Sequence, residues 1–177
     1  MTDILVVDTS RLTHTHDYME AIIQHAEWRP REEIELDERW RQVIPYTIFT
    51  TPNSFVFSYC RKGGDERLNE KMSFGVGGHI ERCDKEVTVY DTILNAARRE
   101  IDEEVNVKSP LNLVYRGIIY DHSDSIGRTH IGVVFNATGF EEMRTKDLSF
   151  CDFYDPTSVD MSYLETWSQI IIRRGWW

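Results

Sequence analysis

Apolar positions along the chain form short alternating runs and two longer stripes at helical spacing. Ile4 to Asp8 is a brief apolar run of strand length. Asp17 to Trp28 sets Tyr18, Met19, Ile22, Ile23 and Ala26 at helical spacing, which predicts an amphipathic helix. Arg29-Pro30 closes it, because proline cannot continue the hydrogen-bond ladder. Arg31 to Arg41 is charge-rich and is expected as a solvated connection or short helix. Val43 to Thr50 and Ser54 to Arg61 read as two strands around the turn Thr51-Pro52-Asn53. In the second, Phe55, Phe57 and Tyr59 alternate with Val56, Ser58 and Cys60, the pattern of a half-buried strand. The polar turn Arg61 to Arg67 then leads through Lys71 into a short strand, Met72 to Val76, followed by Gly77-Gly78.

The next stretch, Thr88 to Glu104, contains neither Gly nor Pro. At about 100° per residue, Ile93, Leu94, Ala97, Ile101 and Val105 share one apolar sector of a helix. Ser109-Pro110 marks a loop. Leu111 to Tyr120 and Thr129 to Ala137 read as strands around the polar loop Asp121 to Arg128, and Thr138 to Glu142 leaves the second strand as a loop. Val159 to Arg173 closes the chain with a helix whose apolar side is Tyr163, Leu164, Trp167, Ile170 and Ile171. Trp176-Trp177 is expected to pack on this chain or on a second copy, as in a homodimer. This order of elements predicts an α+β or α/β fold with a mixed sheet between helices. No repeat or dividing linker interrupts the chain. Its 177 residues are expected to form one domain, residues 1–42 being an N-terminal extension packed on it: a cap, a dimer arm or part of a substrate wall.

Composition narrows the function. Hydrophobic residues at 41% and charged residues at 28% are ordinary for a globular protein. A net charge of −10 argues against broad binding to nucleic acid or an anionic membrane surface. It leaves room for phosphate substrates, since a bound cation or local Arg and Lys inverts the field at a site. Three cysteines without metal-type spacing, no basic–apolar leader and no apolar run of about 18 residues lead to the expectation of a cytoplasmic protein that does not enter a membrane.

The chemistry is concentrated in Arg99-Glu100-Ile101-Asp102-Glu103-Glu104. Glu100, Glu103 and Glu104 stand at i, i+3 and i+4, so they form one carboxylate cluster along the edge of the apolar sector. Like charges at that spacing repel, and a divalent cation reverses the sign; hard oxygen ligands suit Mg²⁺ or Mn²⁺. Upstream, Gly77-Gly78 permits a tight turn and close approach of backbone to a ligand.

Together these pieces resemble the Nudix hydrolase signature, G-x5-E-x7-R-E-U-x-E-E-x-G-U, in which U is a bulky aliphatic residue. Arg99, Glu100, Ile101, Glu103, Glu104 and Val107 occupy its second half, and Gly78 to Asp84 its first. Three features depart from it. Asp84 replaces the usual Glu. Lys85 to Asp91 are seven extra residues before Arg99, unless Asp91, which keeps the x7 spacing, takes the acid's place. Asn106 stands where the family has Gly, a substitution expected to serve as a left-handed helix cap. The run from Ile44-Pro45-Tyr46 through Phe74 to Ile80, and Leu164 to Ser168, is similar to a Nudix subgroup of predicted phosphoesterases.

The resemblance implies an α/β/α sandwich and a Mg²⁺- or Mn²⁺-dependent hydrolase. Its substrate would be a nucleoside diphosphate linked to another group. Glu100, Glu103 and Glu104, with the Gly78 carbonyl, would hold the metal, and Arg99 would pair with a neighbouring glutamate and fix its rotamer. Arg61, Arg67 and Lys71 are candidates for phosphate oxygens. The general base would be a helix glutamate acting through metal-bound water, or a later acid: Glu141, Glu142 or, less favoured, Glu165. A Nudix-fold ligand-binding or regulatory protein with little turnover is the alternative. Neither His79 nor His130 is assigned a role.

Overall fold

The computed structural model describes residues 2–60, 71–108, 111–140, 142–145 and 149–177. The chain divides into two compact units, one of Met1–Tyr46, Gly77–Arg99 and Gly117–Val134, the other of Thr47–Val76, Glu100–Arg116 and Phe135–Trp177.

In the first unit β1 (Asp3–Asp8) pairs antiparallel with β2 (Glu27–Pro30), Ile4 opposite Arg29, and with β3 (Trp40–Phe49), Val7 opposite Arg41. Its four apolar residues, Ile4 to Val7, are buried. Helix α1 (Tyr18–His25) starts where the Asp17 carboxylate accepts the Glu20 N–H at 3.0 Å, satisfying one of the helix's orphan donors. The helix stops at His25, short of the predicted Trp28. The reason is tertiary: Glu27 to Pro30 are drawn into the ladder with β1, and β2 is an edge strand where a missing N–H is tolerated. The charge-rich stretch becomes a single turn, α2 (Arg31–Ile34), anchored by Ile34 against Ile4, Val6 and Trp40. The N-terminal segment is therefore woven into its unit, and the Leu5 N–H also donates to the Ile80 carbonyl at 3.0 Å.

Every residue of β3 is buried. Its Gln42 N–H donates to Thr129 O and its Thr50 N–H to Ala137 O. Both strands advance by the same eight residues between those bonds, so β3 and β9 (His130–Thr138) run parallel. With β8 (Asn112–Ile119) beyond β9, the sheet order is β2-β1-β3-β9-β8, and β6 (Gly75–Gly77) also pairs with β3. Parallel and antiparallel pairs together make the predicted mixed sheet of an α+β fold. A Cβ on Gly77 would lie 2.1 Å from the Pro45 carbonyl oxygen, where only backbone could give way. Gly77→Ala is therefore expected to destabilise the protein by about 3 kcal/mol or more. Chemical denaturation measures this, and a loss below about 1 kcal/mol would mean that β3 and β6 separate easily.

In the second unit β4 (Val56–Cys60) lies between β5 (Met72–Ser73) and β11 (Ser149–Tyr154), and β7 (Val105–Lys108) pairs with β10 (Glu142–Thr145). The core gathers Phe49, Phe57, Tyr59, Val76, Ile101, Val105 and Ala137, with Phe140 and Phe153 packed against it. Phe57 and Phe140 both meet the Phe49 ring edge-on, at 6.2 and 6.0 Å. Val56 to Tyr59 are all buried, not half-buried as the alternation suggests, because β4 is a central strand covered on both faces. The three strands β7, β10 and β11 had no clear signal in the sequence.

The C-terminal helix also differs from its prediction. Asp160 caps a separate 3-10 turn, Met161–Tyr163, and α4 (Thr166–Arg174) begins only after Leu164 and Glu165. Leu164, Trp167 and Ile171 are buried as predicted, whereas Tyr163 is 62% exposed. Gly175 ends α4 at φ 61°, letting its N–H and that of Trp176 return to the Ile172 and Ile171 carbonyls. The Trp176 ring is half-buried under the Arg174 guanidinium at 4.7 Å, so this indole packs on its own chain. Among the described residues no helix is long and apolar enough to cross a membrane.

Candidate active site

Helix α3 (Val89–Glu104) is the element that carries the signature residues. It begins at Thr88, whose hydroxyl accepts the Asp91 N–H at 3.0 Å and donates to the Asp91 carboxylate at 2.6 Å. Asp91 is thereby an element of the helix cap, and the acid that serves the signature arginine is Asp84. The seven extra residues form the link into α3 and its first turn. Of the predicted apolar sector, Ile93, Ala97, Ile101 and Val105 are buried and Leu94 is half-buried.

In the first unit, Asp84 is 2% exposed at the end of a 3-10 turn, Arg82–Asp84. Its carboxylate accepts Arg99 Nε at 2.8 Å and Nη2 at 2.9 Å, a bidentate pair, and takes the Glu81 N–H at 2.8 Å. Arg99 Nη2 also donates to the His79 carbonyl at 2.8 Å. Arg99 thus forks onto Asp84 and clasps the loop after β6, which contains Gly78. Asp84 is spent on that clasp and on the loop's own cap, with Glu81 as the reciprocal partner. The signal was present in the sequence: Asp84 keeps the five-residue spacing from Gly78.

His79 lies on the same loop, its Nε2–H donating to Gln42 Oε1 at 2.7 Å, with the His130 ring 5.8 Å away. Burial above all, with the Arg31 charge and His130 adding to it, lowers its pKa from 6.5 to about 3. It is a neutral hydrogen-bonding group at ordinary pH. Below 6.5 the unfolded chain takes up a proton that the folded one refuses until about 3, so this residue's contribution to stability is full above 6.5 and declines as pH falls. Comparing the pH dependence of unfolding of wild type with His79→Gln should show a difference of about 1 kcal/mol per pH unit on the acid side, vanishing at neutral pH. Parallel curves would contradict this.

In the second unit stand Glu100, Glu103 and Glu104, at the end of α3: Glu103 exposed, the other two half-buried. The helix passes directly into β7, and Asn106 pairs with Arg144 in that strand. It is not a left-handed cap; Ser54 is the positive-φ non-glycine residue among those described. The pull of the β7–β10 ladder replaces the turn that the family's Gly would make. Among the described residues, no three His, Cys, Asp or Glu side chains are gathered closely enough to hold a metal. What stands there is a set of hard oxygen donors at one helix end.

Lys71 Nζ donates to Ser162 O at 2.7 Å, joining the start of β5 to the 3-10 turn before α4. Glu165 is buried, its Oε1 accepting Ser73 Oγ at 2.5 Å and Ser168 Oγ at 3.2 Å. The Phe74 N–H in turn donates to Ser168 Oγ at 2.9 Å. Both residues tie β5 to the C-terminal segment. Arg61, Arg67 and Glu141 lie outside the described residues, as does the Glu142 side chain. Among the aromatic residues, Tyr46, Tyr59 and Phe74 are core, and Phe55, just before β4, is 42% exposed.

No family model matches the chain. Protein YmaB of Bacillus subtilis (strain 168) is 27% identical over 160 residues, 80% of this chain and 74% of its own. Among solved structures, Tm1382, a candidate Nudix hydrolase, aligns with a TM-score of 0.72 at 24% identity, over 97% of this chain and 96% of its own. The MutT Nudix hydrolase from Burkholderia pseudomallei aligns with a TM-score of 0.57 at 16% identity, over 76% and 97%. The dihydroneopterin triphosphate pyrophosphohydrolase of E. coli aligns at 0.51 and 16%, over 76% and 95%. This chain has the Nudix hydrolase fold, with the residues that resemble the signature on the loop after β6 and on α3.

Proposed function

We propose that the protein is a Nudix hydrolase that cleaves a pyrophosphate bond, in a nucleoside diphosphate linked to another group, with Mg²⁺ or Mn²⁺. The carrying observation is the end of α3, where a chain of this fold keeps three carboxylates at i, i+3 and i+4. Their oxygen donors fit a hard divalent cation chemically. Glu100, Glu103 and Glu104 would hold it. When bound, it would supply the charge neutralisation that lets water approach a diphosphate.

The chain's own residues do the positioning. Arg99, forked onto Asp84 and onto the His79 carbonyl, fixes the loop after β6. The water's proton is assigned to a helix glutamate or to Glu141 or Glu142. Glu165, held by Ser73 and Ser168, acts as a brace for α4. Arg61 and Arg67 are proposed for phosphate oxygens, while Lys71 has its bond to Ser162.

The test is product release from a panel of nucleoside diphosphate derivatives with Mg²⁺ or Mn²⁺. Metal-dependent turnover supports the reading and identifies the substrate. No turnover, with metal-independent binding of one compound, would assign a ligand-binding role instead.

A further inference from the structure

Arg41 is the charged residue of β3, and it is 2% exposed. Its Nη2 donates to His122 Nδ1 at 2.9 Å, and its Cζ lies 5.3 Å from the Tyr120 ring centroid. Nε and Nη1 are buried and have no acceptor among the described residues. An arginine cannot shed its proton, and burying its charge without acceptors is strongly unfavourable. The Tyr120 hydroxyl is also buried without a partner there. Tyr120 in turn packs against Tyr18 at 5.0 Å and His122 at 4.6 Å.

Arg41 Nε and Nη1 and the Tyr120 hydroxyl are thus donors without an acceptor among the described residues. The guanidinium has no lone pair to offer, and the phenol has an O–H free. His122 accepts on Nδ1, so its ring presents an N–H at Nε2, on an exposed residue. A buried donor set with no carboxylate partner among the described residues is the complement of an external oxyanion. Arginine's planar donors suit a phosphate in particular, since its several oxygens accept at once.

We propose that Arg41, Tyr120 and His122 form a phosphate-binding subsite. It lies wholly in the first unit and does not depend on the hydrolase reading.

The test is thermal melting and calorimetric titration of the full chain without divalent metal. Inorganic phosphate and a nucleoside monophosphate are compared with chloride at equal ionic strength. The wild-type melting temperature should rise saturably with phosphate. Arg41→Met should melt at or above the wild type without phosphate, because an uncompensated buried charge is gone, and should lose the response. Tyr120→Phe should leave the phosphate-free melt unchanged and weaken phosphate binding about tenfold. A response to inorganic phosphate alone identifies free phosphate as the ligand; a response to the monoester as well identifies the phosphate group of a larger one. Either supports the subsite. No phosphate-specific rise in the wild type overturns it, as does an undiminished response in Arg41→Met or Tyr120→Phe.

Discussion

Glu103→Gln and Glu104→Gln are each expected to lower metal-dependent hydrolysis at least about a hundredfold while leaving the fold intact. Partners standing behind a metal ligand are already worth about 10–100-fold, so removing a ligand's charge should exceed that. Glutamine keeps the length and shape of the side chain but brings no negative charge to a cation. The substitutions separate chemistry from folding because Glu103 is exposed and Glu104 only half-buried. In a chain of net charge −10, removing one carboxylate from the acidic end of α3 costs no favourable charge balance, so melting should stay within about 0.5 kcal/mol of wild type. The informative comparison is turnover against metal concentration for wild type and both variants. Full activity in either variant at saturating metal would remove that residue from the metal set. Equal loss accompanied by a collapsed melt would make the residue structural.

The parts legible in the sequence were those set by local periodicity. The stripe Ile93, Ala97, Ile101, Val105 fixes α3 and its buried face, and the carboxylate spacing follows from the same helix. What was not legible depends on partners distant in sequence. Trp28 satisfies a helical pattern, yet the ladder with β1 takes it into a strand. Asn106 fits a helix cap, yet β10 holds it extended. Val56 and Ser58 alternate with aromatic residues as if facing water, yet β4 is covered on both sides. The site divides in the same way. Glu100, Glu103 and Glu104 come from one helix and could be placed by counting. Arg99 was expected beside a neighbouring glutamate, and its bidentate bond to Asp84, fifteen residues away, depends on a turn that local spacing does not reveal. Arg41, a single charge in an apolar strand, gave no periodic signal at all.

Asp84→Ala is expected to destabilise the protein by about 3–5 kcal/mol, the usual loss when one partner of a buried ion pair is removed. The aspartate side chain is 2% exposed and that of Arg99 24%. The substitution deprives the guanidinium of two charged hydrogen bonds and the Glu81 N–H of its acceptor. Water reaches Arg99 only in part, so solvent replaces little of what is lost. Arg99→Lys keeps the charge but not the fork, and should lose about 1–2 kcal/mol; a merely solvated helix-surface arginine would tolerate it. The decisive measurement is the cycle with Arg99→Met. If the two residues act as one clasp, the double variant should be less destabilised than the sum of the singles by about 2 kcal/mol, since no unmatched charge remains. Additive losses would show that each side chain is held by other contacts. The Nudix reading would then lose its account of how the loop after β6 is held.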